Sequence, residues 1–457
     1  MNASDQDAVR SAPVELGLSD TATHPAVGVN HSFAYLFERF PSFVQTFVHR
    51  EAAEMVRQGM EPLLVSIRQP DDPAELSEEC ERGVLYLPAE KELRAEIDRR
   101  REGGAVSRKV RKALPAHRGE SDSQRMFEAA WLGPVLKRAG IRHVHAHFGG
   151  MAARTAWWLR RLYNVTYSYT GHANDIFCDT TFPVSNSDLA REALFLVTET
   201  DFARRWMEEK YPFVRGKVHR VFNGIAMDGF PARVSVGPIP RILSVGRYVE
   251  KKGFRDLITA CGLLRGQGLN FECLIVGGGP LETELQQQIE SAGLAPWVKL
   301  LGPRPQSEVR QLLAGADVFA LACVIEKGGG SDNLPTVIME AMAGGVPVVS
   351  TRVAGVPEMI SDGENGLLVE PGDGPSLAAA IGKLLQDRPL QDRFAVAGKA
   401  TATAKFAIEQ TTALLKRLLV QLAGISLPPA ARAFDPGFQV HRTLGQRFST
   451  FLRAICG

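Results

Sequence analysis

The sequence predicts an α/β fold of two doubly wound, Rossmann-like domains facing each other across a cleft. Three observations carry that prediction. A chain of 457 residues, 45% hydrophobic and 23% charged, is too long for one ordinary core yet has a globular composition. Short β-branched runs alternate with helical segments, the rhythm of a parallel sheet covered by helices. That rhythm stops at a stretch rich in proline and glycine and then starts again, so the sheet is built twice.

Residues 1–30 are polar and lack the basic-then-apolar order of a secretory signal, which predicts a flexible tail. No apolar run approaches the roughly 20 residues that span a bilayer. The first domain, 31–235, carries its strands in LLVSIR at 63, GVLYLP at 83, RHVHAHF at 142, VTYSYTG at 165, ALFLVTET at 193 and KVHRVFNG at 217. Its first helix begins in PSFVQTF, where Ser42 and Gln45 have the spacing of a capping box. After the linker FPARVSVGPIP the second domain, 236–404, repeats the pattern with RILSVG at 241, FECLIVG at 271, VKLLG at 298, DVFALAC at 317, VPVVST at 346 and GLLVEP at 366. Residues 405–457 contain an amphipathic helix, FAIEQTTALLKRLLVQLAG, and a last helical stretch, RTLGQRFSTFLRAIC. With no strand to pair, they either pack back on the first domain or lie on the surface.

Several function classes recede on composition. A net charge of +2 argues against a nucleic-acid surface. The six cysteines, at 80, 178, 261, 273, 323 and 456, form no CxxC pair, which fits reduced thiols in the cytoplasm. Residues 91–118 are strongly basic. A solvated helix pair is one reading, and contact with an anionic membrane surface is the other.

Chemistry concentrates at strand ends, where open α/β sheets bind ligands. In SVGRYVEKKGF, Arg247 and Lys252 follow the second domain's first strand and either aim at the cleft, each worth about 1.5–3 kcal/mol against a phosphate, or form a solvated basic turn. After the loop EKGGGSDN, Pro335 opens a helix running to about Met342, and the free N–H groups near Asn333 and Leu334 form an anion site. Asp332 precedes that helix and Glu340 lies nearly two turns inside it, so they serve different parts of a ligand, or else cap and solvate the helix. Gly277–Gly279 is not GxGxxG, and Gly278 reads as a close backbone approach to a nucleotide base, with Arg304 near that base. In the first domain His172 faces the cleft or caps a strand end, and Asn174 and Asp175 either join it there or cap the next turn. His143, His145 and His147 share one strand face; a strand buried on both sides is favoured over a metal site, with His147 and Gly149 directed to the acceptor side of the cleft.

Together these segments are specific. GRYVEKKG, VGGGPLETEL, DNLPTVIMEAMAGGVPVVST and VAGVPEMISDGENGLLVEPGD, colinear from 241 to 373, resemble the signature series of the retaining GT4 glycosyltransferases with the GT-B fold. FPSFVQTFVHREA, HVHAHFG, TGHANDIF and FNGI resemble the exopolysaccharide and colanic-acid branch of that family. The resemblance implies a nucleotide-sugar donor, a glycan or lipid-linked acceptor and no cofactor or metal. It implies that Arg247 and Lys252 hold the donor diphosphate, Asp332 the sugar hydroxyls and Glu340 the ribose, while His172 touches the sugar near the reacting carbon. Many members carry Glu in place of Asp332; the shorter side chain sets the carboxylate back by about 1.5 Å, which bears on the sugar preference. The competing readings are a nucleotide-sugar epimerase or hydrolase, and a catalytically silent sensor.

Overall fold

The computed structural model describes residues 31–42, 45–71, 84–116, 122–178, 182–234 and 237–426. The expected tail, Cys80, Cys456 and the last helical stretch lie outside the described residues. The first sheet is formed by β1 (Phe33–Arg39), β2 (Pro62–Arg68), β3 (Val84–Tyr86), β4 (His143–His147), β5 (Thr166–Gly171), β6 (Leu196–Thr198) and β7 (Val218–Arg220). Its order is β3-β2-β1-β4-β5-β6-β7, parallel throughout. The second sheet takes β8 (Arg241–Val245), β9 (Glu272–Val276), β10 (Val298–Leu300), β11 (Val318–Leu321), β12 (Val348–Thr351) and β13 (Leu367–Val369) in the order β10-β9-β8-β11-β12-β13, also parallel. The order reverses between β1 and β4 in one sheet and between β8 and β11 in the other. At such switch points the loops diverge and leave a crevice.

The helices cover both faces of each sheet. In chain order they are α1 (Thr46–Arg57), α2 (Glu90–Glu102), α3 (Arg108–Ala116), α4 (Ser123–Arg138), α5 (Met151–Tyr163), α6 (Ala173–Phe177), α7 (Asn186–Glu192), α8 (Asp201–Lys210), α9 (Phe254–Gly266), α10 (Glu282–Ser291), α11 (Gln306–Ala314), α12 (Thr336–Ala343), α13 (Val356–Met359), α14 (Gly374–Gln386), α15 (Arg388–Phe406) and α16 (Ile408–Ala423).

Strand alternation divides the first sheet into two unlike faces. Ala34, Leu36, Val144 and Ala146 join an aliphatic cluster on one side, whereas Phe33, Tyr35 and Phe37 pack with α1 on the other. Tyr35 is paired in register with His145, so the three histidines of β4 lie on the α1 side. Leu415 and Leu419 of α16 are fully buried in that same cluster, each contributing about 1.5–3 kcal/mol of burial. Lys416 Nζ also donates to the Gln58 carbonyl at 2.6 Å. The chain therefore returns to the first domain after leaving the second, by way of Ile225, whose N–H donates to Phe406 O and whose carbonyl accepts from Ile408 N. The capping box expected at Ser42 does not form. The helix begins one residue after Gln45, which has no side-chain capping bond, and only the backbone bond from Gln45 N to Ser42 O closes the turn.

Candidate donor site between the two sheets

On the second domain, β8 delivers Arg247 to its carboxyl edge. Arg247 is exposed; its carbonyl accepts from Val249 N at 2.8 Å, while its guanidinium forms no ion pair or hydrogen bond among the described residues. A short 3-10 turn, Glu250–Lys252, then hands over to α9 through Gly253, whose φ is +65° and whose Cβ, if present, would lie 1.6 Å from the Ala322 carbonyl oxygen. Only glycine tolerates both demands. The close approach sets Lys252 beside the β11 loop, where its Nζ is hydrogen-bonded to Asp332. Burial works against the charge of Lys252, but Asp332 more than compensates and raises its pKa above the ordinary lysine value. Burial and the charge of Asp332 push the neighbouring Cys323 thiol up to about 12, so it stays neutral. Lys252 and Asp332, singled out from separate segments, are thus brought together.

The loop ahead of α12 has a second structural duty. Asn333 is 1% exposed: its Oδ1 accepts from Thr200 Oγ1 at 2.7 Å, and its Nδ2 donates to Glu199 Oε2 at 3.2 Å. Both partners belong to the first domain, so the side chain ties the domains together. The backbone N–H groups of Asn333 and Leu334 donate to no group among the described residues, while the Leu334 side chain is buried in the second core. Glu340 is neither solvated nor alone. It is 7% exposed and accepts from Arg50 Nη2 of α1 at 2.9 Å and from Gln306 Nε2 at 3.3 Å. A further tie caps α8, where the N–H groups of Asp201 and Phe202 donate to Glu358 at 2.8 and 2.7 Å.

Gly278 lies against Pro303, and its carbonyl accepts from Tyr248 N at 2.9 Å; the strained neighbour Gly277, at φ +148°, leaves room for the Gly246 carbonyl. The close approach made here is therefore to the turn carrying Arg247. Arg304 is exposed, 3.8 Å from Glu308 and within its own helix start.

On the first domain, His143 bonds Thr166 and Ser168 at 2.9 Å each, and His145 bonds Ser168 at 2.7 Å and Thr170 at 3.0 Å. The parallel register of β4 on β5 puts these hydroxyls opposite the rings. Burial holds His143 neutral, down to about 3, and carries His145 well below the ordinary histidine value, with the neighbouring histidines adding to the effect on His145. His147 departs from the expected acceptor-side role. It is 1% exposed, and its nitrogens are taken up by Glu51 Oε1 at 3.0 Å with Tyr35 Oη at 2.7 Å, and by His172 Nε2 at 3.2 Å. It is beneath the cleft wall, because β4 is covered by α1.

His172 follows β5 and packs against Phe47 and Phe148 in tilted contacts, with ring centroids 5.0 and 4.4 Å away. Its Nδ1 lies 2.8 Å from Glu199 Oε1. Burial lowers its pKa, but Glu199, then Asp175 and Glu51, carry it above the ordinary histidine value. Both ring nitrogens face protein groups. Asp175 receives the His172 N–H at 3.1 Å and packs on Gly149, where a Cβ would come within 3.1 Å of it. Gly149 is thus a packing position. Among the described residues, no group of three or more His, Cys, Asp and Glu is arranged to hold a metal.

The sequence reading missed Arg50, Glu51, Glu199 and Thr200, which complete this arrangement. Each carried only a weak signal: a guanidinium, two acids and a hydroxyl at a helix interior or strand end, where a solvated role is the default.

Comparison with known proteins places this geometry. Residues 234–401 match the sequence pattern of the glycosyl transferases group 1. The amylovoran biosynthesis glycosyltransferase AmsK of Erwinia amylovora is 39% identical over 182 residues, 39% of this chain and 45% of AmsK. The match thus spans less than half of that relative. A GDP-mannose-dependent α-(1-6)-phosphatidylinositol monomannoside mannosyltransferase of Mycolicibacterium smegmatis is 32% identical over 303 residues, 64% of this chain and 73% of the relative. Among solved structures, Anabaena HepE in complex with UDP-glucose superposes with a TM-score of 0.62 at 17% identity, over 85% of this chain and all of HepE. That likeness shows the two-sheet GT-B fold. With a matched second domain and a relative covered over most of its length, the chain belongs to the group 1 glycosyl transferases.

Proposed function

We propose that this protein moves a sugar from a nucleotide diphosphate sugar to a hydroxyl of a glycan or lipid-linked acceptor, with retention at the anomeric carbon, in exopolysaccharide or cell-surface polysaccharide synthesis. One observation carries the reading: Arg247 and Lys252 reach the carboxyl edge of β8 beside the start of α12, where two backbone N–H groups have no acceptor among the described residues. Fixed positive potential of this kind stabilises a departing diphosphate without reorganising during the reaction. On this reading Asp332 accepts from sugar hydroxyls while paired with Lys252, and Glu340, oriented by Arg50, accepts from the ribose. A leaving phosphate oxygen takes the acceptor proton on the same face.

HepE was solved with UDP-glucose, and the mycobacterial relative is named for GDP-mannose, so the base is chosen by experiment. UDP-, GDP- and ADP-sugars are screened by thermal shift, because a bound donor raises apparent stability by mass action. The donor that binds is then incubated with and without polyprenyl-linked glycan. Sugar transferred to the glycan supports the reading. Free sugar at equal rates in both reactions marks a hydrolase, and binding without turnover marks a sensor.

The membrane reading of residues 91–118 narrows to α3. In α2 the arginines pair with acids one turn away, Arg94 with Glu90, Arg99 and Arg100 with Glu96, and Arg101 with Asp98. Arg108, Lys109, Arg111 and Lys112 of α3 are exposed. Each would add about 1 kcal/mol at an anionic surface, supporting a peripheral position at the inner face of the membrane. No helix among the described residues is long and apolar enough to cross one.

A further inference from the structure

Four buried side chains stand in a row beneath the first domain's wall: Glu51 of α1, His147 of β4, His172 after β5 and Glu199 after β6. Their contacts are 3.0, 3.2 and 2.8 Å. We propose that Glu51, acting through His147, is a positioning residue that keeps one positive charge on the His147–His172 pair and so fixes Glu199 against the Asn333 loop. The proposal rests on reading that loop as part of the donor site.

Counting protons assigns the charge. Carboxylates accept, so His147 Nε2 and His172 Nδ1, at the two ends, each carry a hydrogen. The inner contact, His147 Nδ1 to His172 Nε2, needs a third hydrogen, since two lone pairs facing at 3.2 Å would repel. Three hydrogens on four ring nitrogens make the pair a monocation. The competing placement moves one proton to Glu51 and leaves both rings neutral, and burial of charge favours it. Against it, Tyr35 Oη and His147 Nε2 converge on the same oxygen, Oε1 of Glu51, as two donors converge on a carboxylate. The surroundings point the same way. Burial raises the Glu51 pKa, but His147, Tyr35 and His172 bring it below the ordinary carboxylate value. His172 is raised by Glu199, Asp175 and Glu51 against burial, and His147 is lowered by burial. The titratable groups facing the pair are thus Glu51 and Tyr35 from α1 and β1, neutral His145 from β4, Asp175 from α6 and Glu199 beyond β6.

The far end of the row gives it a consequence. Glu199 also accepts from Asn223 Nδ2, and through its second oxygen from Asn333 Nδ2. Asn333 itself carries, with Leu334, the free backbone N–H groups that the proposed function turns towards the diphosphate. Loss of the charge on the imidazole pair would loosen Glu199, and with it the loop.

The test reads the charge directly. Full-length protein labelled with 13C at histidine Cε1 is titrated by NMR, with His172→Gln assigning the signal. The His172 ring is expected to remain cationic at a pH where exposed histidines are neutral. In Glu51→Gln, which keeps the shape and an acceptor, its midpoint should fall by about 1 unit or more. Tyr35→Phe, which removes one donor to Glu51, should lower it by less. UDP and GDP are then titrated calorimetrically across the wild-type midpoint, and the nucleotide that binds should weaken several-fold as the pair loses its proton. A His172 that is neutral at pH 7, a midpoint unmoved in Glu51→Gln, or affinity equal on both sides of the midpoint overturns the proposal. If neither nucleotide binds, the donor-site reading fails, while the NMR midpoints still decide the charge.

Discussion

The two walls of the cleft are built on opposite principles. On the first domain the four histidines along the β4–β5 seam are matched to other protein groups: His143 and His145 to a run of hydroxyls, His147 and His172 to Glu51 and Glu199. On the second, Arg247 stands exposed without a partner, and the backbone N–H groups ahead of α12 donate to nothing among the described residues. Buried polar groups must be satisfied, and each missing bond costs about 1–3 kcal/mol. A wall that satisfies itself has little left for a ligand except shape and charge. A wall that keeps donors in reserve has them free for a ligand. The lesson is that a histidine in a motif is not automatically a ligand-facing histidine, and the contrast can be tested from both sides.

The largest effects should come from the open wall. Lys252→Ala or Arg247→Ala is expected to lower transfer by about 10²–10³-fold, the usual cost of removing one preorganised donor to a developing anion. Radiolabelled sugar incorporation into acceptor would measure it. Retention of most activity in Arg247→Ala would remove the contrast at its root.

The closed wall should instead reveal itself in stability. His143 has its pKa pushed by burial from 6.5 down to about 3, so the unfolded chain takes up a proton that the folded one refuses. More protons on the unfolded state means that stability rises with pH. The contribution is complete above 6.5 and lost as the pH falls towards 3, at about 1.4 kcal/mol per unit. Urea unfolding should therefore show about 2 kcal/mol lost by about pH 5 from this residue. In His143→Gln the acid slope should be shallower by about one proton.

An intermediate effect is expected where the walls meet. Arg50→Ala leaves Glu340, 7% exposed, without its cationic partner. Donor binding should weaken by about tenfold, equivalent to about 1.4 kcal/mol, as read by calorimetry, with a smaller change in the turnover of bound donor. The smallest effect belongs to Arg304→Ala. Its side chain is exposed and only loosely paired with Glu308, so donor affinity should change by less than about threefold. A larger change would place Arg304 nearer the base than its position in the loop after β10 suggests.

Much of this was legible beforehand. The restart of the strand rhythm at residue 241 marked two sheets, and the observed strand orders follow that reading. Arg247, Lys252 and the helix start at Pro335 were readable because strand-end turns and helix N-termini have local signatures. The capping box at Ser42 was not realised, because the register of α1 is set by packing of Val48, Ala52 and Met55 against β1 rather than by its first side chain.

Amino-acid order by itself determined the alternation, the glycines at tight approaches and the donors at strand ends, since these depend on a few consecutive residues. The tertiary structure decided the pairings: Arg50 with Glu340, 290 positions apart, Lys252 with Asp332, 80 apart, and the Glu51–His147 contact, 96 apart. It also decided that α16 seals the first domain. Charge compensation depends on distance in space, and no local pattern records which distant acid will be buried beside which base.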